Sequence, residues 1–343
     1  MKLEVKQIVS AVGLIGLVSA NVSMADDNQW LTGVKVYGLV QIEAQYHQDY
    51  EDTDISDIVV DEIDFGIEAQ VNKWAKADII FIYEEDGTPL GIDEAFLTLG
   101  NTDESPLYMA VGQMYIPFGN FESNMVSDPL TVDLAETGEK AAKFGFETDG
   151  LYGAVYMFNG ATQNDDNNTI DHYGANIGFA QEGEGFSYDV GINYINDMGD
   201  TDTLGEVLEE VDDYDYVEGI GGYLNLNFGS ASLYAEYITA LDEFSADNIA
   251  FKSNGAQPTA WNLEASYTMN VGYETTVAIA YQGTEESVGL ELPKTRLMGL
   301  VSLALNDNTS LSFEYALDED YDEDDDGTGK DGQSAILQLA VEF

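Results

Sequence analysis

A transmembrane, antiparallel up-and-down β-barrel of about sixteen strands is the fold this sequence predicts, and three observations predict it. Segments of roughly ten residues alternate apolar and polar side chains, the length and period of a tilted membrane-spanning strand. The links between them alternate long and short. Aromatic residues gather near segment ends, where interfacial girdles lie.

The last ten residues, Ser334–Phe343, show the unit most clearly. Ala335, Leu337, Leu339, Val341 and Phe343 share one parity, and Ile336, Gln338, Ala340 and Glu342 the other. Successive strand side chains point to opposite faces, so one face is apolar and the other mostly polar. At the other end, Lys2 and Lys6 precede an apolar run over 8–20, and Ser23 and Ala25 are the small residues before a cut after Ala25. That is a secretory signal peptide over residues 1–25, too short for a spanning helix. Residues 26–343 read as a single barrel domain, since no linker-like shift in composition interrupts them.

The first strand covers Val34–Tyr46, with Val34, Val36, Val40, Ile42 and Ala44 on one face and Lys35, Tyr37, Gln41, Glu43 and Gln45 on the other. An acidic stretch, 47–57, reads as a loop. The next strand sets Ile63, Phe65, Ile67, Ala69 and Val71 against Asp64, Glu68 and Gln70. A short link at 72–74 leads to Ala77, Ile79, Phe81 and Tyr83, and the pattern then recurs to the end. Short links (149–150, 229–230, 306–308) carry Gly, Asn, Asp and Ser; long ones include 117–138, 159–171, 196–218, 241–258 and 318–332. With both termini on the periplasmic side, every long link falls outside. A soluble sandwich has no reason to keep that order.

Composition narrows the function. Eleven Lys plus Arg stand against 65 Asp plus Glu, a net charge of -54, which excludes nucleic acid as a partner. There is no Cys and there are two His, His47 and His172, too few for a ligand cluster typical of a catalytic metal. No G-x-S-x-G motif occurs, so the chain is not expected to be an enzyme. No cofactor is expected. The run Asp322-Glu323-Asp324-Asp325-Asp326-Gly327 fits the opening of a calcium loop, with Asp322, Asp324 and Asp326 as ligands, but position twelve is Gln333. A solvated acidic turn is the default reading there.

A barrel of this size encloses an aqueous channel, so passage depends on what narrows it. The link 117–138 reads PFGNFESNMVSDPLTVDLAETG and carries seven large apolar side chains, including Phe118 and Phe121. Folding it into the lumen would bury them and constrict the pore, with Glu122, Asp128, Asp133 and Glu136 brought along. Strand parity adds Glu43, Glu68, Glu264, Lys143, Lys294 and Arg296 to the pore-facing groups. Carboxylate rings favour cations and Lys or Arg clusters favour anions. The three cations form either one basic patch or pairs with lumen acids.

The segment GQMYIPFGNFESNMVSDPLTVDLAET, with its diagnostic part over Gln113–Thr137, resembles the motif of LbtU-type siderophore porins. The resemblance implies a sixteen-stranded barrel of the bacterial outer membrane without a plug domain, associated with passage of ferric siderophores. The expected partners are outer-membrane lipid and lipopolysaccharide, a small solute and, for a barrel of this size, further copies in a homotrimer. The alternatives are a cation-preferring porin for small polar solutes, or an adhesin whose acidic loops hold divalent cations. An acidic vestibule would repel an anionic ferric complex, so the charge balance and the resemblance pull apart.

Overall fold

The computed structural model describes residues 33–85, 88–160, 169–208 and 215–343. The signal peptide over 1–25 lies outside the described residues. Eighteen strands are present among them: β1 (Val34–Gln48), β2 (Asp54–Asn72), β3 (Ala75–Glu84), β4 (Gly91–Gly100), β5 (Leu107–Tyr115), β6 (Gly138–Thr148), β7 (Leu151–Phe158), β8 (His172–Gly183) and β9 (Phe186–Ile195). The remainder are β10 (Gly219–Phe228), β11 (Ala231–Ala240), β12 (Ala250–Phe251), β13 (Asn254–Gly255), β14 (Thr259–Asn270), β15 (Glu274–Glu285), β16 (Thr295–Asn306), β17 (Thr309–Glu319) and β18 (Asp331–Glu342).

All but β12 and β13 join one closed antiparallel barrel, in which each strand pairs with its sequence neighbours and β1 closes on β18. The two exceptions form a small ribbon inside the link between β11 and β14. Closure runs from Leu39 opposite Glu342 to Gln48 opposite Gln333, and is completed by paired bonds between Gly38 and Phe343. A closed ring leaves no unpaired strand edge, which lipid demands.

The alternation read from the sequence sets the two faces. Val36, Phe65, Ile79, Leu263, Ile279, Phe313 and Leu339 stand exposed on the outside, where lipid would cover them. Near the periplasmic ends Phe186 and Phe228 lie 6.4 Å apart on adjacent strands, and near the outer ends Trp261 and Tyr281 lie 5.1 Å apart. These are interfacial pairs. Not every aromatic belongs to a girdle: Tyr152, Tyr156 and Phe158 face the interior, and the last two are buried.

One expected loop is largely strand. Across 47–57, Gln45 pairs with Asp57, Tyr46 with Ser56, His47 with Ile55 and Gln48 with Asp54, leaving only 49–53 as the turn. Beyond the lipid edge a strand is wetted on both faces, so its composition no longer differs from that of a loop.

The constriction loop and the acidic lumen

The link between β5 and β6 does not project outward. It starts where the Ile116 amide donates to the Thr137 carbonyl at 3.0 Å, directly above the Tyr115–Gly138 pair. It then crosses the barrel to the far wall and returns through a short helix, α1 (Leu130–Ala135), whose Leu130, Thr131, Val132, Leu134 and Ala135 are buried.

Three glutamates on the far wall fasten it. Glu236 on β11 accepts from the Asn120 amide (2.6 Å), the Phe121 amide (3.1 Å) and the Thr131 hydroxyl (2.9 Å). Glu264 on β14 accepts from the Ser123 hydroxyl (2.7 Å) and from the backbone and side-chain amides of Asn124 (2.9 and 2.7 Å). Glu314 on β17 accepts from the Val126 amide (2.6 Å) and the Ser127 hydroxyl (2.6 Å). Gln282 on β15 takes the Leu130 amide at 3.0 Å. Hydrogen bonds to a charged acceptor are the stronger kind, and here they satisfy loop amides that would otherwise be buried without a partner. Two backbone features aim those amides. Gly119 has φ 100°, and a Cβ there would overlap the Phe121 ring; Phe121 itself has φ 58°. That left-handed turn sends two successive N–H groups towards one carboxylate.

Beneath these bonds lies the apolar filling. Phe118, Leu134 and Ala135 pack with Phe158, Ile195, Met198, Leu204, Ile238 and Phe244 from the wall and the outer links. A second short helix, α2 (Asp202–Leu208), sits against α1, and its Asp202 amide donates to the Glu136 carbonyl at 2.9 Å. The half of the barrel from β6 to β15 is therefore packed at the level of the loop.

The opposite wall, β1 to β4, is lined by acids. Glu43 is buried and accepts from Gln45 (2.7 Å) and Gln338 (2.8 Å). Asp61 lies against Glu43, and Glu62 against Asp64, carboxyl to carboxyl. Glu68 sits between Lys35 (3.3 Å) and Lys76 (3.5 Å), the latter also 3.2 Å from Asp78. Glu94 accepts the Tyr115 amide at 3.2 Å and Asp93 the Tyr115 hydroxyl at 2.9 Å. Two carboxylates in contact need a proton or a cation between them.

The loop turns its own acids towards this wall. Desolvation inside the barrel, followed by the like charges of Asp133, Asp61 and Glu84, pushes Asp128 up to about 7, although lumen water still reaches its side chain. Desolvation and then Asp128 push Glu136 up to about 9, and its Oε1 is buried with no hydrogen-bond partner among the described residues. Asp133 is raised by desolvation and lowered in turn by Arg296. Glu122 is exposed.

The structure thus places the expected residues in three roles. Phe118 and Phe121 are buried in the packed half. Glu264 is a fastening for the loop. Glu43, Glu68, Asp128, Asp133 and Glu136 border the open half. The three cations do not meet in one patch. Arg296 on β16 binds Asp318 through two bonds (2.8 and 3.0 Å), and Lys294 binds Asp322 at 2.8 Å. Lys143 on β6 lies eight strands away around the ring of sixteen, diametrically opposite β16. In the acidic turn, Asp322 faces Lys294, Asp325 pairs with Lys252, and Asp326 accepts the Lys252 amide at 3.0 Å.

Strand parity alone does not find Asp61 or Asp93. Both sit at register shifts, between Gln41 and Ile42 of β1 opposite Asp61 and between Ile80 and Phe81 of β3 opposite Asp93. A bulge adds a residue and breaks the alternation.

No family model matches this chain. It is similar to a UPF0422 protein of Coxiella burnetii, 27% identical over 304 residues that cover 85% of this chain and 65% of that one. A UPF0422 protein of Legionella pneumophila is 26% identical over 322 residues, covering 84% and 59%. The chain spans less than two thirds of the length of these relatives. Among solved structures it resembles an anion-selective porin from Comamonas acidovorans, with TM-score 0.62, 10% identity, and coverage of 90% of this chain and 99% of that one. The DcaP outer-membrane channel of Acinetobacter baumannii gives TM-score 0.61 and 13% identity over 91% and 98%. A trimer form of the Vibrio cholerae outer-membrane protein OmpT gives 0.54 and 13% over 90% and 99%. At such identities the likeness concerns the fold, which is the sixteen-stranded barrel of outer-membrane porins.

Proposed function

We propose that this protein is a passive channel of the bacterial outer membrane that conducts small polar solutes and prefers cations. The observation that carries this reading is the position of the loop 117–138. It is held against β11, β14, β15 and β17, and on the side of β1 to β4 its Asp128 faces Asp61 and Glu62 of the wall. Carboxylates so placed lower the energy of a passing cation and raise that of an anion. The Comamonas acidovorans porin of the same fold is described as anion-selective, so the barrel does not set the sign of selectivity; the lining does. Assembly as a homotrimer, with lipid and lipopolysaccharide around it, belongs to the same proposal.

Ferric siderophore passage is the second reading. It is favoured by the segment Gln113–Thr137, which resembles the siderophore-porin motif and is the segment that forms the constriction. For an acidic opening the complex carried would be neutral or positive. The purified protein in a planar bilayer under a KCl gradient tests both readings. The proposal expects a reversal potential of cation-selective sign. Added ferric siderophore of neutral charge would interrupt the current if the second reading holds and leave it unchanged if the channel is general. An anion-selective potential would refute both.

A further inference from the structure

We propose that His172, Asp197 and Asp200 form a binding site for a divalent transition-metal ion of the zinc class, at the outer end of the barrel and apart from the constriction. His172 opens β8, while Asp197 precedes and Asp200 ends the turn 198–200 that follows β9. All three are buried, and their ligand atoms lie within 4.8 Å of one another. Nε2 of His172 is 3.2 Å from Oδ2 of Asp197 and 3.0 Å from Oδ2 of Asp200. Ligands about 2.0–2.2 Å from a tetrahedral zinc ion stand about 3.3–3.6 Å apart, so a small contraction or expansion of this triangle seats the ion.

Four features mark the cluster as built. Asp197 is oriented by its other oxygen, which accepts the Gly199 amide (3.0 Å) and the Val217 amide (3.2 Å). On the far side of the imidazole, Nδ1 lies 3.1 Å from Oδ1 of Asp171 and 3.4 Å from the Gly160 amide nitrogen. Phe158 and Tyr216 hold the ring between them at 5.2 and 4.6 Å. A Cβ at position 160 would overlap the Asp200 carboxylate, so Gly160 lets that group approach.

The ion would join the start of β8 to the link after β9, and so tie down α2, which touches the constriction loop.

The test uses the full-length protein folded in detergent, stripped with chelator and titrated with Zn2+, and with Co2+ as a spectroscopic probe. The proposal expects one tightly held zinc per chain and visible Co2+ absorption of the four- or five-coordinate type. Asp200→Asn and His172→Ala should each weaken zinc binding at least tenfold. Gel mobility before and after heating, and circular dichroism, check that each variant is folded. Should His172→Ala not fold, Asp200→Asn, nearly the same shape, decides alone. Native protein that holds no zinc beyond a folded Asp200→Asn variant, or a Co2+ spectrum of octahedral aqueous type, would overturn the site. Neither result bears on the cation-channel proposal.

Discussion

The two halves of the barrel use the same residue, glutamate, to opposite ends. From β11 to β17 Glu236, Glu264 and Glu314 spend their lone pairs on loop amides and hydroxyls and are spoken for. From β1 to β4 Glu43, Asp61, Glu62 and Asp64 meet one another, with Lys35 and Lys76 placed lower on the wall. The lesson is that a pore-facing carboxylate cannot be assigned to selectivity until its donors are counted. Where backbone N–H groups converge on it, it is structural. Where other acids converge on it, it is a candidate for the proposed cation selectivity.

Excising residues 118–135 should have the largest effect: a severalfold rise in single-channel conductance, because the packed half would open. An unchanged conductance would mean the loop does not narrow the path. Next, Glu264→Ala should cost the folded loop about 1.5–3 kcal/mol, the range for hydrogen bonds to a charged group, and leave Asn124 without its partner. Hydrogen exchange at the Ser123–Asn124 amides and low-frequency current noise would register it, while the barrel itself stays folded. A comparable cost, about 2–4 kcal/mol, is expected for Ile279→Lys on the lipid face, read by urea unfolding in bilayers. A lumen acid changed to its amide should show no such cost.

The smallest effect is with pH. Asp202, Asp128 and Glu136 are all raised, to about 6, 7 and 9, by desolvation first. They gain charge as pH climbs from 6 to 9, so cation preference should grow across that window. A preference that is flat or falls would contradict these assignments. The sign for stability is the reverse. The folded loop binds more protons here than the unfolded chain, so its packing weakens as pH rises through the same window.

Much of this was legible in the sequence. The parity of Ala335 to Phe343 identifies the lipid face of β18, and the apolar content of 117–138 points to an inward fold, because both follow from local pattern. The wall acids were harder. Asp61 enters the lumen through a bulge set by cross-strand register, which no single strand encodes. The fastening role of Glu264 depends on Asn124, 140 residues away in sequence. Two histidines are too few to suggest a ligand cluster from sequence, and the cluster at His172 is not legible there because Asp197 and Asp200 reach it only once β8 and β9 are paired.

Neutralising the open wall while leaving the fastenings intact tests the central claim most directly. The reversal potential under a KCl gradient should be measured for the native chain and for a Glu62→Gln, Asp64→Asn, Glu94→Gln variant. The native channel should favour potassium over chloride by about tenfold, the lower end of what a charged lining supplies, and the variant should lose most of that preference at similar conductance. A native channel that favours chloride, or a folded variant as selective as the native chain, would contradict it.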